Sequence, residues 1–200
     1  MTAQHPEPPA GFTTSRGLLV RRFPGPWTRI HRVGLAPLYF GRSASNRFDA
    51  PAGEFGVLYV ARDAHGAFIE TFGHATGVRV VTPGALAARA LVDVVTSRPL
   101  RLVDLRSKGL ARMGADASLT SGPDYALAQR WALALHQHQR QVDGLLYRAR
   151  HDPRRACAAI FDRAADAVSV TSRGALLEPG NATLLGELLD TYRFALADGS

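Results

Sequence analysis

The chain is short of the residues that announce many familiar chemistries. Cys157 is its only cysteine, which excludes an intramolecular disulfide and any cysteine-built metal cluster. Of its 24 lysines and arginines, Lys108 is the single lysine. No run approaches the roughly 18 apolar residues that a membrane-spanning helix needs. HExxH, GxSxG and the phosphate loop ending in lysine are all missing, and GRSAS at 41–45 has neither the glycine pattern nor the lysine of the last. His136 and His138 stand two apart, so on a helix they face different ways and make poor co-ligands; no metal site is expected. The opening MTAQHPEPPAGF lacks a basic stretch followed by an apolar one, so no secretory signal is expected and the cytoplasm is the expected compartment.

What is present points to an ordinary globular protein. With 46% hydrophobic and 20% charged residues in 200, the chain can bury one good core, and nothing marks it as disordered. The net charge of +7 raises the question of a polyanionic partner. Yet the arginines are scattered, with short pairs such as Arg21-Arg22 and Arg154-Arg155, and no helix carries a continuous basic face. Direct nucleic-acid binding is therefore not expected. A pocket for a phosphate-bearing small molecule is a better use of such charge, because guanidinium forks match phosphate oxygens.

Hydrophobic patterning predicts more strands than helices. Residues 1–25 read as a peripheral lead-in, ahead of a domain over 26–200. TRIHRV (28–33), GVLYVA (56–61) and VRVVT (78–82) suit strands, and 34–55 is a Gly/Pro/Ser-rich loop long enough to be functional. ALVDVV (90–95) and LRLVDL (100–105), joined by TSRP, read as an antiparallel pair. GLLYR (144–148), ACAAIF (156–161) and AVSV (167–170) complete the strands. Helices are expected over 64–74 behind Asp63 as N-cap, in a short turn closing at Gly114, over 124–138, and over 182–196 behind Asn181. On the third of these, Tyr125, Ala128, Ala132 and Leu135 form a stripe that faces the core. The class is α+β in one domain.

Two residues of the segment 46–70 raise a functional question. Tyr59 lies roughly 10 Å from the end of its strand at ~3.3 Å per residue. Glu70 lies roughly 10 Å from its cap at ~1.5 Å per residue. A helix folded back over its own strand puts both at one height, where they line one pocket if their side chains face alike. The alternative is a boundary glutamate in a surface ion pair. Asn46-Arg47-Phe48-Asp49 offers a similar choice, an arginine that points to solvent or one that clamps a phosphate. Arg29 and His31 alternate onto one face of the first strand as a second cationic group.

From TRIHR through LYF, NRFDAP, GEFGVLYVA and FIE, then LRLVDL, LARMGA, DYALAQRWALALH, DGLLYRARHD and AAIFDR, the chain resembles the RES domain, over about residues 27–165. The resemblance implies a mixed, split β-sheet with flanking helices, similar to the ADP-ribosyltransferase fold, with a cleft for NAD+. It implies a toxin that degrades NAD+ by phosphorolysis or hydrolysis and a helix-turn-helix antitoxin as partner. NAD+ would be substrate and inorganic phosphate a co-substrate, with no cofactor. A homo-oligomer stays open. Carried over by position, the resemblance gives Glu70 as the carboxylate that stabilises an oxocarbenium-like transition state. Tyr59 would pack the nicotinamide or ribose, and Arg29 and Arg47 would hold the pyrophosphate, or one of them inorganic phosphate where that is the nucleophile. His31, Asn46 and Ser121 complete the candidate binding set.

The chain departs from that pattern at two positions. Ala126 and Ala149 stand where family members tend to carry a hydroxyl, and Ser118, Thr120 and Ser121 are nearby substitutes. A lost neutral hydrogen bond is worth on the order of 1 kcal/mol, so slowed turnover is the expectation. Two alternatives stand beside NAD+ degradation. One is ADP-ribosyl transfer to a macromolecule; the other is a catalytically silent RES-fold binding module.

Overall fold

A computed structural model describes residues 7–75 and 77–197. The chain enters through β1 (Val20–Phe23) and β2 (Trp27–Arg32), then crosses the long loop to β3 (Val57–Ala61) and α1 (Ala64–Phe72). It continues through β4 (Val80–Val81), α2 (Pro83–Ala87), β5 (Arg89–Thr96) and β6 (Leu100–Asp104). Three helices follow, α3 (Lys108–Met113), α4 (Ser118–Ser121) and α5 (Tyr125–His136). The last part comprises β7 (Gly144–Arg148), β8 (Ala156–Phe161), β9 (Val168–Ala175), α6 (Ala182–Tyr192) and β10 (Ala195–Leu196). The α+β class is as the patterning predicts. Among the described residues no helix is long and apolar enough to cross a membrane.

Eight strands form one mixed sheet in the order β1-β6-β7-β8-β3-β2-β5-β9, with β6 and β7 parallel and the other neighbours antiparallel. That order corrects the expected pairing of 90–95 with 100–105. The two segments are consecutive in the chain, yet β5 lies between β2 and β9, and β6 between β1 and β7. Both edges of each strand are thereby taken. The link over Ser97, Arg98 and Pro99 is a crossing between two parts of the sheet, not a hairpin turn.

Chain length then forces the sheet to curl. Pro24, Gly25 and Pro26 join β1 to β2, first and sixth in the order. Such a link reaches about 14 Å at ~3.6 Å per residue, whereas five flat strand spacings of ~4.8 Å span about 24 Å. The two short links meet where the curl brings them together, and Gly25 N–H donates to Thr96 Oγ1 at 2.9 Å. The approach is close enough that a Cβ on Gly25 would sit 3.1 Å from the Thr96 nitrogen.

The curl gives the sheet two cores and explains the unbroken apolar run of β3. Leu58 and Val60 point into an inner core with Trp27, Val92, Leu102 and Ile160. Val57 and Ala61 point to the outer core, where Phe68, Ile69, Trp131 and Leu188 bring the helices onto the sheet. A strand covered on both faces reads as continuously hydrophobic. At ~25 cal/mol per Å2 of buried apolar surface, each large side chain in these cores contributes about 1.5–3 kcal/mol.

Local signals set most element ends. Asp63 accepts from Gly66 N–H and starts α1; Asp124 does the same for α5 through Leu127 N–H. Asn181 precedes α6 without capping it, because its amide donates instead to the carbonyls of Arg173 and Ala175. The strand expected over 78–82 shortens to β4, which pairs in parallel with β10 in a separate two-stranded sheet. The lead-in is more than peripheral. Phe12 and Leu18 are buried in the outer core and β1 is a sheet strand, so 25/26 is no boundary of the fold; residues 1–6 lie outside the described residues.

The crossing link between β5 and β6 rests on one buried carboxylate. Asp143 accepts from Arg98 at 2.6 and 2.9 Å and from Arg101 N–H at 2.7 Å. Burial raises the affinity of this carboxylate for a proton, but the Arg98 and Arg101 donors outweigh burial and hold its pKa below the usual aspartate value. An Asp143→Asn variant is predicted to lose about 1–3 kcal/mol at neutral pH in urea unfolding. A depressed pKa stabilises above the unfolded-state value and is lost as pH falls through the folded one. The gap between variant and wild type is therefore predicted to close in acid.

Candidate active site

The cleft begins where two neighbouring strands part. β2 and β3 are in register only at Thr28 opposite Ala61, after which they diverge. Parting strands leave backbone groups that a ladder would have satisfied. Arg29 answers one of them: its Nη1 donates to the Tyr59 carbonyl at 2.6 Å, so the guanidinium stands in the gap. Burial pushes the Arg29 pKa down to about 10, and its Nε is buried without a hydrogen-bond partner among the described residues. The gap opens into a cavity of about 270 Å3.

A second arginine comes from the long loop and is held there from several sides. Asp49, wholly buried, accepts from the Asn46 backbone N–H (2.9 Å), the Asn46 side-chain amide (3.0 Å) and the Tyr59 hydroxyl (2.9 Å). The Tyr59 hydroxyl in turn accepts from Phe48 N–H at 2.9 Å. Gln129 of α5 donates to the carbonyls of Ala44 and Asn46. This scaffold delivers Arg47, 8% exposed, to the cavity wall. There its Nη1 donates to the Gly122 carbonyl at 2.7 Å and its guanidinium lies 4.6 Å from the centre of the Tyr125 ring. Nη2 is buried with no partner among the described residues. Burial, foremost, lowers the Arg47 pKa; the Tyr125 ring beside it acts the other way.

Glu70 supplies the carboxylate. α1 packs back over β2 and β3, so Glu70 and Tyr59 do share one cavity wall. One oxygen, Oε1, accepts from Arg150 N–H at 2.9 Å. Burial raises the Glu70 pKa, and the Arg150 N–H, His74 and Arg47 only partly offset it. A carboxylate in a small cleft shared with two arginines, each with one buried N–H unpaired among the described residues, can stabilise positive charge while the arginines hold an anionic group.

Of the residues singled out by sequence, Arg29, Asn46, Arg47, Tyr59 and Glu70 line the cavity together. His31 does not: on β2 it turns to the Arg32 carbonyl at 3.0 Å. Ser121 does not either, since it is exposed and its hydroxyl donates to the Ala117 carbonyl at 2.9 Å. The neighbouring Thr120 reaches the wall instead. Ala126 is exposed on α5 and Ala149 is 1% exposed in the outer core, so neither lines the cavity. Tyr125, expected to face the core, faces the cavity.

Sequence reasoning missed Asp49 and Gln129 as organisers and Tyr147, Arg150 and His74 as wall residues. The spacing of Asn46 and Asp49 is a local turn signal that could have found the first. Gln129 sits on an amphipathic helix with no mark to set it apart.

Comparisons with known proteins bear on the family and the fold. The family model described as RES domain matches residues 26–178. A relative from Sinorhizobium fredii (strain NBRC 101917 / NGR234), described as "Probable toxin y4kH", is 36% identical over 86 residues, which is 43% of this chain and 67% of that protein. Among solved structures, the M. tuberculosis MbcT-MbcA toxin-antitoxin complex contains a chain similar in fold. Its TM-score is 0.66 at 17% identity, over 84% of this chain and 91% of that one. The large curled sheet, the cleft in its parting and the family match over most of the chain lead to one conclusion: this chain belongs to the RES domain family.

Proposed function

We propose that the chain degrades NAD+ by cleaving its nicotinamide–ribose bond and acts as the toxin of a toxin–antitoxin pair, with a helix-turn-helix antitoxin as partner. The observation that carries this is the placement of Glu70 in one cavity with Arg29 and Arg47, each with a buried, unused N–H. The relatives described as a probable toxin and as a toxin–antitoxin complex support the biological half.

The chemistry follows from the charges. When the bond from ribose C1′ to nicotinamide N1 breaks, its electron pair returns to the ring and neutralises the pyridinium. Positive charge builds on the ribose, and an ionised Glu70 stabilises it. An oxygen of phosphate or water then bonds to C1′, a water also losing a proton. Arg29 and Arg47 hold the anionic group at this reacting end through their free donors. The Tyr59 ring packs against nicotinamide or ribose, while its hydroxyl keeps the Arg47 loop in place. Ala126 and Ala149 fall outside the wall, so their lack of a hydroxyl takes nothing from the cavity lining, which favours retained chemistry over a silent binding module.

Incubating the purified chain with NAD+, with and without phosphate, and following free nicotinamide tests the proposal. Release is expected, and its dependence on phosphate names the acceptor. Label from NAD+ appearing on protein or nucleic acid would mean ADP-ribosyl transfer instead. A folded sample that releases nothing in either buffer would overturn the enzyme reading.

Three further outcomes follow. Glu70→Gln is predicted to lower kcat by about 100-fold or more, the cost of a group stabilising transition-state charge. Because Glu70 must be ionised and burial raises its pKa, activity is predicted to fall on the acid side at a pH above the ordinary glutamate range. Glu70→Gln should abolish that limb. Tyr59→Phe removes a donor from buried Asp49, and is predicted to cost about 1–3 kcal/mol in thermal or urea unfolding while raising KM through a loosened Arg47 loop.

A further inference from the structure

A second set of cations gathers beside Glu70. His74 lies just past the end of α1, Arg150 and His151 follow β7, and Arg79 leads into β4. His74 and Arg150 line the cavity, and the His74 and His151 rings meet edge to face with centres 6.2 Å apart. Arg79 lies over the Phe194 ring at 5.3 Å. Two nitrogens in this group, Arg79 Nη1 and His151 Nε2, are buried with no partner among the described residues. Buried polar atoms left unpaired are costly, and these two stand next to the cavity wall, His151 against His74 and within reach of the Arg79 charge.

The nearby carboxylates do not neutralise the group. Asp152 is committed to the Tyr192 hydroxyl (2.9 Å), Arg154 N–H (3.0 Å) and Arg155 (3.3 Å). Glu70 accepts from Arg150 N–H and also faces His74 and Arg47. Burial, then the positive charge of Arg150, His74 and Arg79, disfavours the protonated form of His151. A bound anion would reverse that balance.

We propose that His74, Arg79 and His151 form a second anion subsite, which takes the diphosphate of the dinucleotide. The Arg29–Arg47 side is thereby left to an anion at the reacting end. This rests on the NAD+ reading above and deepens it. A diphosphate supplies several strong acceptors for the free Arg79 and His151 donors, and its charge favours a protonated His151. The cavity itself, at about 270 Å3, is at the small end of ligand sites of about 300–1,000 Å3, so a dinucleotide must extend beyond it. The cation cluster marks the direction of that extension.

Titration calorimetry with ADP-ribose and with nicotinamide riboside, which carries no phosphate, tests the subsite on the full chain at pH 6 and pH 8. Arg79→Gln and His151→Gln are each predicted to weaken ADP-ribose binding about tenfold at pH 6 and to leave nicotinamide riboside unchanged. Wild type is predicted to bind ADP-ribose more tightly at pH 6 than at pH 8, and His151→Gln to lose a large part of that gain. In turnover, both variants should raise the KM for NAD+ with kcat within about twofold. Equal ADP-ribose binding by wild type and both folded variants would overturn the subsite while leaving NAD+ degradation intact. A wild type that binds neither ligand and releases no nicotinamide would overturn both.

Discussion

Two arginines, one buried and one half-buried, without ion-pair partners among the described residues set the terms for the rest of the structure. Taking a charge out of water costs several kcal/mol unless something compensates it. Arg29 and Arg47 receive one carbonyl acceptor each, and Arg47 an aromatic face besides, which is partial compensation. A fold that keeps them there gives up stability for a site already arranged around an anion. The parting of β2 from β3 makes room for the first. A scaffold of Asp49, Tyr59 and Gln129 holds the second.

That scaffold shows how sheet, loop and helix become one site. Tyr59 is fixed by β3, and its hydroxyl fixes Asp49 and Phe48. Gln129 is fixed by α5, and its amide fixes the loop at Ala44 and Asn46. The loop has few regular backbone bonds of its own, so side chains from rigid elements do the ordering before any ligand arrives. Such preorganisation lets donors act on developing charge without rearranging. Glu70 belongs to the same arrangement, because α1 is anchored by its Asp63 cap and by Phe68 and Ile69 in the outer core.

Much of this was legible in the sequence, for identifiable reasons. Strong local signals such as Asp63 before α1 and the apolar run of β3 act through nearby residues and can be read directly. The heights of Tyr59 and Glu70 follow from rise per residue, which is why their common wall could be anticipated. What failed was long-range. TSRP looks like a hairpin turn, but only the whole strand order reveals it as a crossing held by Asp143. β1 and the buried Phe12 and Leu18 were unreadable because their partners lie far along the chain, on β6 and α5. Ser121 and Thr120 are chemically alike and adjacent; which of them faces the cleft depends on the rotation of one short helix turn.

The dependence of the site on uncompensated charge is tested most directly by one comparison, the thermal unfolding of wild type and Arg47→Met with and without saturating inorganic phosphate. Removing a buried, half-satisfied charge in favour of an apolar chain of similar length should leave the unliganded Tm unchanged or raised. The rise that phosphate gives the wild type by mass action should vanish in the variant. An Arg47→Met protein that melts several degrees lower yet keeps the full phosphate-induced rise would contradict it, making Arg47 a structural prop and placing that anion elsewhere.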